Sequence, residues 1–411
     1  MEEWKEYKLE EVGKITTGKT PKTAIKEYFD GDICFVTPAD INTPDKYVHK
    51  TDRYLTNEGL NSILSNSIDK GSICVSCIGN IGYTGIVKMK CASNQQINSI
   101  TVNQEFDRDF IYYSIKNLWP FFKNYEGQST TLSILNKGQF SKITVKCPSF
   151  ETQKHIAAIL SSLDDKIEVN RRINDNLKQQ AHEMFKTWFV DFEPFKDGDF
   201  VESELGMIPK GWRVEPLTCL IKFQEGPGIR NWQYVQENGT KFINIRCIKD
   251  GDIYTETANM ISNEEANGKY AHFMLEVGDI VMSCSGTLGR YAIVREDHLP
   301  LCLNTSVIRF KPVLPNNYSY VLGFLTSSYF LNKQIEMACG SVQANFGPTH
   351  LKQMKFLVPP QTIITQYEEK CISLITLMQK KKYENKHLAT LRDTLLPKLM
   401  SGELKVNEIE I

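Results

Sequence analysis

The sequence predicts an α+β protein in which two repeated globular domains of mixed α/β content are joined by two long helices that form an antiparallel coiled coil. Three observations support this fold class. Landmark residues recur about 210 positions apart, as Trp4 and Trp212 do. Short β-branched segments alternate with Gly, Asn, Asp and Pro in both copies. Each copy is followed by a long segment in which apolar residues repeat at heptad spacing.

The first domain is predicted over residues 1–150 and the second over residues 211–361. Each combines several strands with few helical patterns, which lie mainly around Phe110–Lys123 in the first copy and form a helix near Tyr318–Met337 in the second. The strand-like segments are ICFVTP, GSICVSCIG, GIVKMK, INSITV and ITVKCP in the first domain, and KFINIRCI, GDIVMSCSG, RYAIVRE, SVIRFKP and MKFLVPP in the second. The short spacing of these segments predicts a compact domain with a mixed sheet.

The long helices are predicted at residues 151–190 and 362–402. Their apolar positions are spaced three and four residues apart, and the second stripe is a weaker copy of the first at an offset of 211. The seam residues are Ile156, Leu163, Ile167, Asn174 and Leu177 in the first helix, and Leu374, Met378, Asn385, Leu388 and Leu395 in the second. Matching stripes predict that the helices pack on each other, with the buried Asn residues setting the register. The alternative is two unrelated amphipathic surface helices.

Three other segments carry simpler expectations. The charged run Asp164–Lys166 is interpreted as a solvated helix face, as most charge clusters are. Residues 191–210 are acidic and contain Pro194 and Gly206, which predicts a turn-rich connection and no binding site. Residues 403–411 are expected to form a C-terminal tail.

Composition excludes some classes of protein. The chain has 411 residues, a hydrophobic content of 41% and a net charge of −1, so it can build ordinary cores but is no general polyanion binder. It contains no apolar run of about 18 residues and no basic-then-apolar start, which predicts a cytoplasmic protein with no membrane partner. Eleven scattered cysteines favour buried reduced thiols over a disulfide framework.

No pattern in the sequence predicts catalysis, a metal or a cofactor. Gly13–Thr20 matches the phosphate-binding pattern GxxxxGK[ST], but a highly charged segment precedes it and Pro21 follows at once, so the required strand and helix are missing. Cys74 and Cys77 have CxxC spacing without a second half-site, and they lie in a strand, where residues three apart face opposite sides. The seven histidines are dispersed.

The candidate binding residues are polar, aromatic and basic side chains on glycine-rich loops. Such side chains suit contacts with base edges and phosphates, although for any single residue an ordinary surface loop is the simpler interpretation. The candidates are Lys19, Thr20, Lys22, Asn80, Tyr83, Gln128, Ser129 and Thr130 in the first domain, and Arg230, Asn231, Trp232, Arg246, Thr287, Arg290, Gln343 and Asn345 in the second.

Several motifs resemble those of the specificity subunit of a type I restriction-modification system. Both domains open with W-x(4)-L, at Trp4 and Trp212, and a G-x-TP turn follows at Gly18 in the first. The other marks are ETQKHIAAILSSLDDKIEVNRRINDNL in the first helix, SELGMIPKGW before the second domain and LRDTLLPKLMSGELKV near the C-terminus. The second domain departs from the pattern, since Pro227 follows Gly226 and no TP pair is present.

The resemblance implies two target recognition domains, each reading one half of a bipartite site in double-stranded DNA, with the helix pair setting the unread spacer. It also implies that two methyltransferase subunits dock on the helices and that motor-nuclease subunits join for cleavage. Methylation, ATP hydrolysis and cleavage would then belong to the partners, so no cofactor is expected in this chain. The alternative hypothesis is a scaffold for a methyltransferase complex that reads no DNA itself.

Overall fold

The computed structural model describes residues 4–43, 45–127, 133–338 and 346–406. The chain divides into two compact units. Unit 1 comprises Met1–Val169 and Asn385–Ile411, and unit 2 comprises Asn170–Glu384. Each unit therefore contains one repeated domain together with a segment of each long helix. None of the described helices combines the length and apolar character needed to cross a membrane.

The first repeated domain consists of short strands and helices. The strands are β1 (Lys5–Lys8), β2 (Gly13–Thr17), β3 (Phe29–Val36), β4 (Tyr47–Val48), β5 (Tyr54–Leu55), β6 (Ile73–Ser76), β7 (Thr84–Val87), β8 (Ala92–Ser93), β9 (Ile97–Val102) and β10 (Thr144–Cys147). The helices are α1 (Leu9–Val12), α2 (Pro38–Ile41), α3 (Asn57–Asn61), α4 (Arg108–Asn117), α5 (Trp119–Gly127) and α6 (Lys137–Ser141).

The main sheet of unit 1 has the strand order β2-β9-β6-β7-β4, in which only β4 pairs in parallel. Its central strand β6 is buried on both faces, because Ile73 and Val75 pack into one apolar cluster and Cys74 into another. Cys77 belongs to the same cluster as Ile73. Cys74 and Cys77 thus face opposite sides of the strand, as their spacing predicted.

The long helix α7 (Phe150–Phe189) leads into the second repeated domain, and the second long helix, α12 (Gln361–Ser401), follows that domain. The second domain contains the strands β11 (Phe200–Ser203), β12 (Gly206–Pro209), β13 (Arg213–Pro216), β14 (Ile221–Glu225), β15 (Tyr234–Val235), β16 (Thr240–Ile243), β17 (Ile248–Lys249), β18 (Asp252–Ile253), β19 (Asn259–Ile261), β20 (Ile280–Ser283), β21 (Tyr291–Ile293), β22 (Leu301–Leu303), β23 (Val307–Pro312) and β24 (Lys355–Val358). The helices are α8 (Asn263–Asn267), α9 (Tyr318–Thr326), α10 (Ser328–Ala338), α11 (Pro348–Gln353) and α12 (Gln361–Ser401).

The main sheet of unit 2 has the order β14-β23-β20-β21, which repeats the antiparallel order β2-β9-β6-β7 of unit 1. A second sheet has the order β15-β19-β16-β22. The two repeated domains and the two long helices confirm the predicted fold class.

Local breaks separate several predicted elements. The helical stretch expected around Phe110–Lys123 is two helices, because α4 ends at Asn117 and α5 begins just before Pro120, which lacks an amide hydrogen and fits only a first helical turn. The helix expected near Tyr318–Met337 is likewise two helices, since the Ser327 hydroxyl accepts the amide hydrogen of Phe330 and begins α10. The strand expected from KFINIRCI is interrupted by a 3₁₀ turn at Ile245–Cys247.

The connection at residues 191–210 is more ordered than its composition predicted. A 3₁₀ turn at Glu193–Phe195 is followed by the β11–β12 hairpin. Phe192 and Phe195 place their rings 5.5 and 5.0 Å from that of Trp212. Aromatic burial therefore makes this connection part of the unit 2 core.

Within unit 1 the two long helices run antiparallel. Asn385 of α12 donates through Nδ2 to the carbonyl of Ile167 on α7 at 3.3 Å, and Arg392, further along α12, pairs with the earlier residue Asp164. The unit 1 seam residues Ile156, Leu163, Ile167, Asn385, Leu388 and Leu395 are buried or half-buried. Leu160 of α7 and Leu399 of α12 also pack in the apolar core of the first repeated domain.

Unit 2 contains the same antiparallel arrangement of α7 and α12. Met184 lies 3.1 Å from Cys371, measured between sulfurs, and the ring of Phe189 lies 4.8 Å from that of the earlier α12 residue Tyr367. The unit 2 seam residues Asn174, Leu177, Leu374 and Met378 are buried or half-buried as well.

The structure overturns the interpretation of Asp164 as part of a solvated face. Only 3% of its side chain is exposed, and it pairs with Arg392, which is 5% exposed. The hydroxyl of Tyr113 donates to Asp164 Oδ2 at 2.6 Å. Burial and the neighbouring Arg392 charge lower the pKa of Lys116 to about 8. The neighbours Asp165 and Lys166 are exposed, so one member of the charged run turns inward to close a polar network between α4, α7 and α12.

The counterparts of this polar network in unit 2 line a cavity. The network residues Tyr113, Lys116, Asp164 and Arg392 correspond, by position in α4 and α9 and by the offset of 211 in the long helices, to Gly323, Thr326, Ile375 and Ala181. All four counterparts line a cavity of about 420 Å³. The two repeats therefore attach domain to helices differently, through buried polar contacts in unit 1 and through smaller, mostly apolar side chains in unit 2.

Candidate nucleic-acid interface

Four segments of unit 1 meet at one end of its main sheet. The amide of Cys77 donates to the carbonyl of Gln96 at 2.7 Å, and the amide of Leu135 donates to the carbonyl of Cys77 at 2.8 Å. Gly18, just after β2, lies so close to the 93–96 turn that an added Cβ would stand 2.1 Å from the Asn94 carbonyl oxygen. These contacts join residues 17–22, 77–83, 93–96 and 133–135 into what we term loop cluster 1.

A buried serine organises the turn at residues 77–83. The Ser76 hydroxyl donates to the carbonyl of Asn80 at 2.7 Å and accepts the amide hydrogen of Tyr83 at 2.9 Å. Gly79 and Gly82 have φ values of 78° and 96°, which residues with a Cβ rarely adopt. The turn therefore presents Asn80 and Tyr83 from a fixed backbone.

Unit 2 contains the same turn with different side chains. The Ser283 hydroxyl donates to the carbonyl of Thr287 at 2.6 Å and accepts the amide hydrogen of Arg290 at 2.9 Å. The intervening glycines, Gly286 and Gly289, have φ values of 65° and 77°.

The neighbouring segments of unit 2 are also joined in the same way. The amide of Cys284 donates to the carbonyl of Ser306 at 3.0 Å, and the carbonyl of Cys284 accepts the amide hydrogen of Phe346 at 2.8 Å. An added Cβ on Gly226 would stand 2.5 Å from the backbone of Leu303 and Asn304. Residues 225–232, 284–290, 304–306 and 346–347 form loop cluster 2. One backbone scaffold thus carries two different sets of side chains.

Comparison with known proteins connects this repeated scaffold to a family. The model of the type I restriction modification DNA specificity domain matches residues 1–179 and 209–385, one stretch for each repeat. The chain belongs to this family. It is a specificity subunit, the component of a type I restriction-modification system that recognises DNA sequence.

Individual relatives cover nearly the whole specificity subunit. The MjaIX specificity subunit of Methanocaldococcus jannaschii is 29% identical over 99% of this chain and 95% of its own length. The HindI specificity subunit of Haemophilus influenzae is 22% identical over 98% of this chain and 100% of its own. The crystal structure of an S subunit from M. genitalium has a TM-score of 0.56 at 16% identity, covering 97% of this chain and 96% of that one. This last similarity concerns the fold.

Most of the residues that the sequence suggested for DNA contact in the first repeat lie in loop cluster 1. Lys19, Lys22 and Asn80 are exposed, and Thr20 donates to the Gln95 side chain at 2.8 Å. The ring of Tyr83 lies 5.5 Å from that of Trp119. Gln128, Ser129 and Thr130 fall outside the described residues.

In the second repeat, Thr287, Arg290 and Arg246 are exposed. Arg246 lies on the 3₁₀ turn whose first residue, Ile245, donates its amide hydrogen to the Ser306 hydroxyl at 3.3 Å, so it borders loop cluster 2. Gln343 and Asn345 fall outside the described residues.

Arg230, Asn231 and Trp232 are the last residues of the first segment of loop cluster 2. All three are exposed, and Trp232 is 80% exposed. Trp232 lies on a 3₁₀ turn that is anchored through the Gln233 side chain, which donates to Glu265 at 2.9 Å and to the Tyr270 hydroxyl at 3.1 Å. An exposed indole on an anchored turn is available to a partner without reorganisation of the backbone.

The specificity subunit also contains candidate interface residues that the sequence interpretation missed. Trp119 of α5 packs beside Tyr83, and the Lys123 ammonium lies 4.2 Å from the centre of the Trp119 ring. Glu225, the last residue of β14, immediately precedes Gly226. Gly226 is the counterpart of Gly18, so the position of Glu225 next to it was a signal available in the sequence. The first repeat has Thr17 at this place, but sequence alone gave no reason to assign a function to the difference.

The structure explains two patterns that mimic other chemistry. Gly13–Thr17 is a strand paired with β9, and the next element after it is a 3₁₀ turn at Lys26–Tyr28, so the GxxxxGK[ST] match has none of the strand–loop–helix geometry that cradles phosphates. The ten described cysteines are free, and all except Cys219 are buried. Burial raises the pKa of the Cys74 and Cys77 thiols to about 12, which keeps them protonated.

Proposed function

We propose that each loop cluster reads one half of a bipartite site in double-stranded DNA. The observation that carries this proposal is the repetition of one hydrogen-bonded scaffold, built on Ser76 and on Ser283, with different side chains on it. A duplicated scaffold keeps the same position relative to its own sheet, while exchange of side chains changes the bases that it selects.

The side chains of the two clusters suit different base contacts. Loop cluster 1 offers amide groups at Asn80 and Gln95, which pair best with adenine, together with Lys19 and Lys22 for phosphates. Loop cluster 2 offers Arg230, Arg246 and Arg290. Arginine binds guanine in a bidentate manner or binds phosphate. This difference supports two unlike half-sites.

The chain itself carries no catalytic role in this proposal, and methylation, ATP hydrolysis and cleavage belong to partner subunits. Among the described residues, no group of three or more His, Cys, Asp or Glu side chains is arranged to hold a metal ion. The buried cysteines with raised pKa values are unsuited to nucleophilic attack.

We further propose that the long helices dock methyltransferase subunits. The helix α12 exposes 38% of Ile372, 39% of Leu377 and 47% of Leu391, although its seam already packs against α7. These exposed apolar side chains are available for contact with a protein partner. Changing Leu377 and Leu391 to Ser should weaken co-purification with a co-expressed methyltransferase subunit. The matched changes Thr376→Ser and Thr390→Ser, at exposed polar neighbours, should not.

Genome-wide mapping of methylated sites tests the DNA-reading proposal. The full chain is expressed with its methyltransferase partners, as wild type and as the double variant Arg230→Ala, Trp232→Ala. We expect the double variant to relax or abolish recognition of one half-site and to leave the other intact. The matched control Met207→Ala, Arg213→Ala alters exposed residues of the same unit outside loop cluster 2 and should keep the wild-type pattern.

The same experiment separates the scaffold alternative. If the double variant co-purifies with methyltransferase and methylates an unchanged sequence, loop cluster 2 does not read DNA. If wild-type chain and partners show no sequence-dependent methylation at all, the proposed function fails as a whole.

A further inference from the structure

The two loop clusters differ most sharply at the last residue of their first sheet strand. In unit 1, β2 ends at Thr17, which stands opposite Asn98 and donates its hydroxyl hydrogen to Asn98 Oδ1 at 2.7 Å. In unit 2, β14 ends at Glu225, which stands opposite the apolar Ile308. A neutral hydrogen-bonded pair in one repeat is therefore replaced by a carboxylate with no polar partner across the ladder in the other.

Glu225 is held at the centre of loop cluster 2. Its Oε1 accepts a long hydrogen bond of 3.4 Å from the hydroxyl of Thr305. A Cβ added to Gly347 would lie 3.8 Å from Glu225 Oε2. The next residue, Gly226, packs closely against the backbone of Leu303 and Asn304. The carboxylate is half-buried, and this burial raises its pKa. Thr305 and Gly347 therefore flank the Glu225 carboxylate.

No described cation neutralises this carboxylate. In the part of the chain that the structure describes, no Lys, Arg or His forms an ion pair with Glu225, and Oε2 accepts no hydrogen bond. The carboxylate therefore keeps an oxygen free to accept a hydrogen bond from a binding partner. Phosphate groups would repel it, so it cannot serve the backbone contacts that basic residues make.

One kind of DNA group would complete the Glu225 site. The major-groove edges of cytosine and adenine present an exocyclic amino group, whereas those of guanine and thymine present oxygen acceptors at the corresponding positions. A carboxylate accepts a hydrogen bond from an amino group and repels an oxygen. Adenine also carries an acceptor, N7, beside its amino group, and a carboxylate has no hydrogen to donate to it. Cytosine has no such neighbouring acceptor, so it fits a carboxylate better.

We propose that Glu225 is a specificity-determining residue that selects a base with a major-groove amino group, with cytosine preferred, at one position of the half-site read by unit 2. This rests on the proposed function. Thr17 and Asn98 occupy the same place in unit 1, and their hydroxyl and amide groups can both donate and accept. The carboxylate selection is therefore confined to one half-site.

The test uses the full chain with its methyltransferase partners and genome-wide mapping of methylated sites for wild type, Glu225→Gln and Thr17→Val. Glu225→Gln keeps the shape but adds a donor, so we expect the preference at one position of one half-site to fall about tenfold or more, the discrimination that one good base contact supplies. Thr17→Val should alter only the other half-site. Glu202→Gln, an exposed change on β11, is the matched charge control and should leave both unchanged.

Each result decides the Glu225 proposal. A wild-type half-site with cytosine or adenine at the position that Glu225→Gln relaxes supports it. The proposal is overturned if Glu225→Gln leaves the methylated motif unchanged, or if it changes the same half-site as Thr17→Val. It is also overturned if the wild-type motif has guanine or thymine at the affected position. Thermal melting that matches wild type excludes misfolding as the cause. Absence of sequence-dependent methylation in the wild type would instead refute the proposed function.

Discussion

Removal of the Arg392 guanidinium should leave a buried carboxylate without its cation. Asp164 is 3% exposed and retains only the Tyr113 hydroxyl as a close donor among its described contacts. Removing one partner of a buried ion pair typically costs about 3–5 kcal/mol, because the remaining charge stays desolvated. Tyr113 still donates to Asp164, so for Arg392→Ala we expect the lower end of that range, about 3 kcal/mol.

The second repeat supplies the compensating change. The counterparts of Asp164 and Arg392 are Ile375 and Ala181, so the double variant Asp164→Ile, Arg392→Ala reproduces in unit 1 the side chains that unit 2 already uses. Replacement of both residues removes both members of the buried ion pair. The double variant should therefore recover about 2 kcal/mol relative to Arg392→Ala.

Urea denaturation of the full chain measures both variants, and amide hydrogen exchange locates the effect. Exchange should accelerate in α4 of unit 1 and stay unchanged in α9 of unit 2, which serves as an internal control. A stability of Arg392→Ala within about 0.5 kcal/mol of wild type, the usual range for surface substitutions, would contradict the expected cost. A double variant that is no more stable than the single one would contradict it too.

Three further outcomes follow from the same geometry. Because burial lowers the folded-state pKa of Lys116 from 10.5 to about 8, the unfolded chain binds more protons between these values. Stability should thus rise by about 1 kcal/mol from about pH 7 to pH 9 in denaturant titrations, a slope that Lys116→Met should lose. Ser76→Ala removes both hydrogen bonds that shape its turn, and methylation mapping should show one half-site relaxed, with about 1–2 kcal/mol of stability lost. Gly323→Ala would place a Cβ 2.3 Å from the buried Phe185 ring, so calorimetry should show a loss of about 1–3 kcal/mol, whereas Gly228→Ala, which meets nothing within 4 Å, should melt as wild type does.

Local patterns predicted much of the fold because they reflect local physics. The β-branched segments became β6, β9, β20 and β23, and the heptad stripes became α7 and α12. Breaks within these elements were missed where a single side chain decided them, as at Pro120 and Ser327. A periodic pattern averages over a window, whereas a cap or a missing amide hydrogen acts at one residue.

The candidate interface was only partly accessible from sequence. Glycine-rich loops identified the turn at Asn80 and its counterpart at Thr287, because positive φ values leave a glycine signature. Glu225 was missed because the chemistry of a carboxylate depends on its surroundings. Opposite an amide it would be an ordinary polar residue, and opposite Ile308 it becomes an acceptor without a full set of donors.

By itself, the sequence determined the duplication, the succession of strands and long helices, and the family, since all three are carried by residue types at fixed spacings along the chain. Only the tertiary structure decided which of those residues are buried together. Asp164 lies in a charged run typical of a solvated face, yet it is buried because Arg392, 228 residues later, packs against it. Burial of a charge depends on the partner that packing brings to it, and that partner is not encoded in the local pattern.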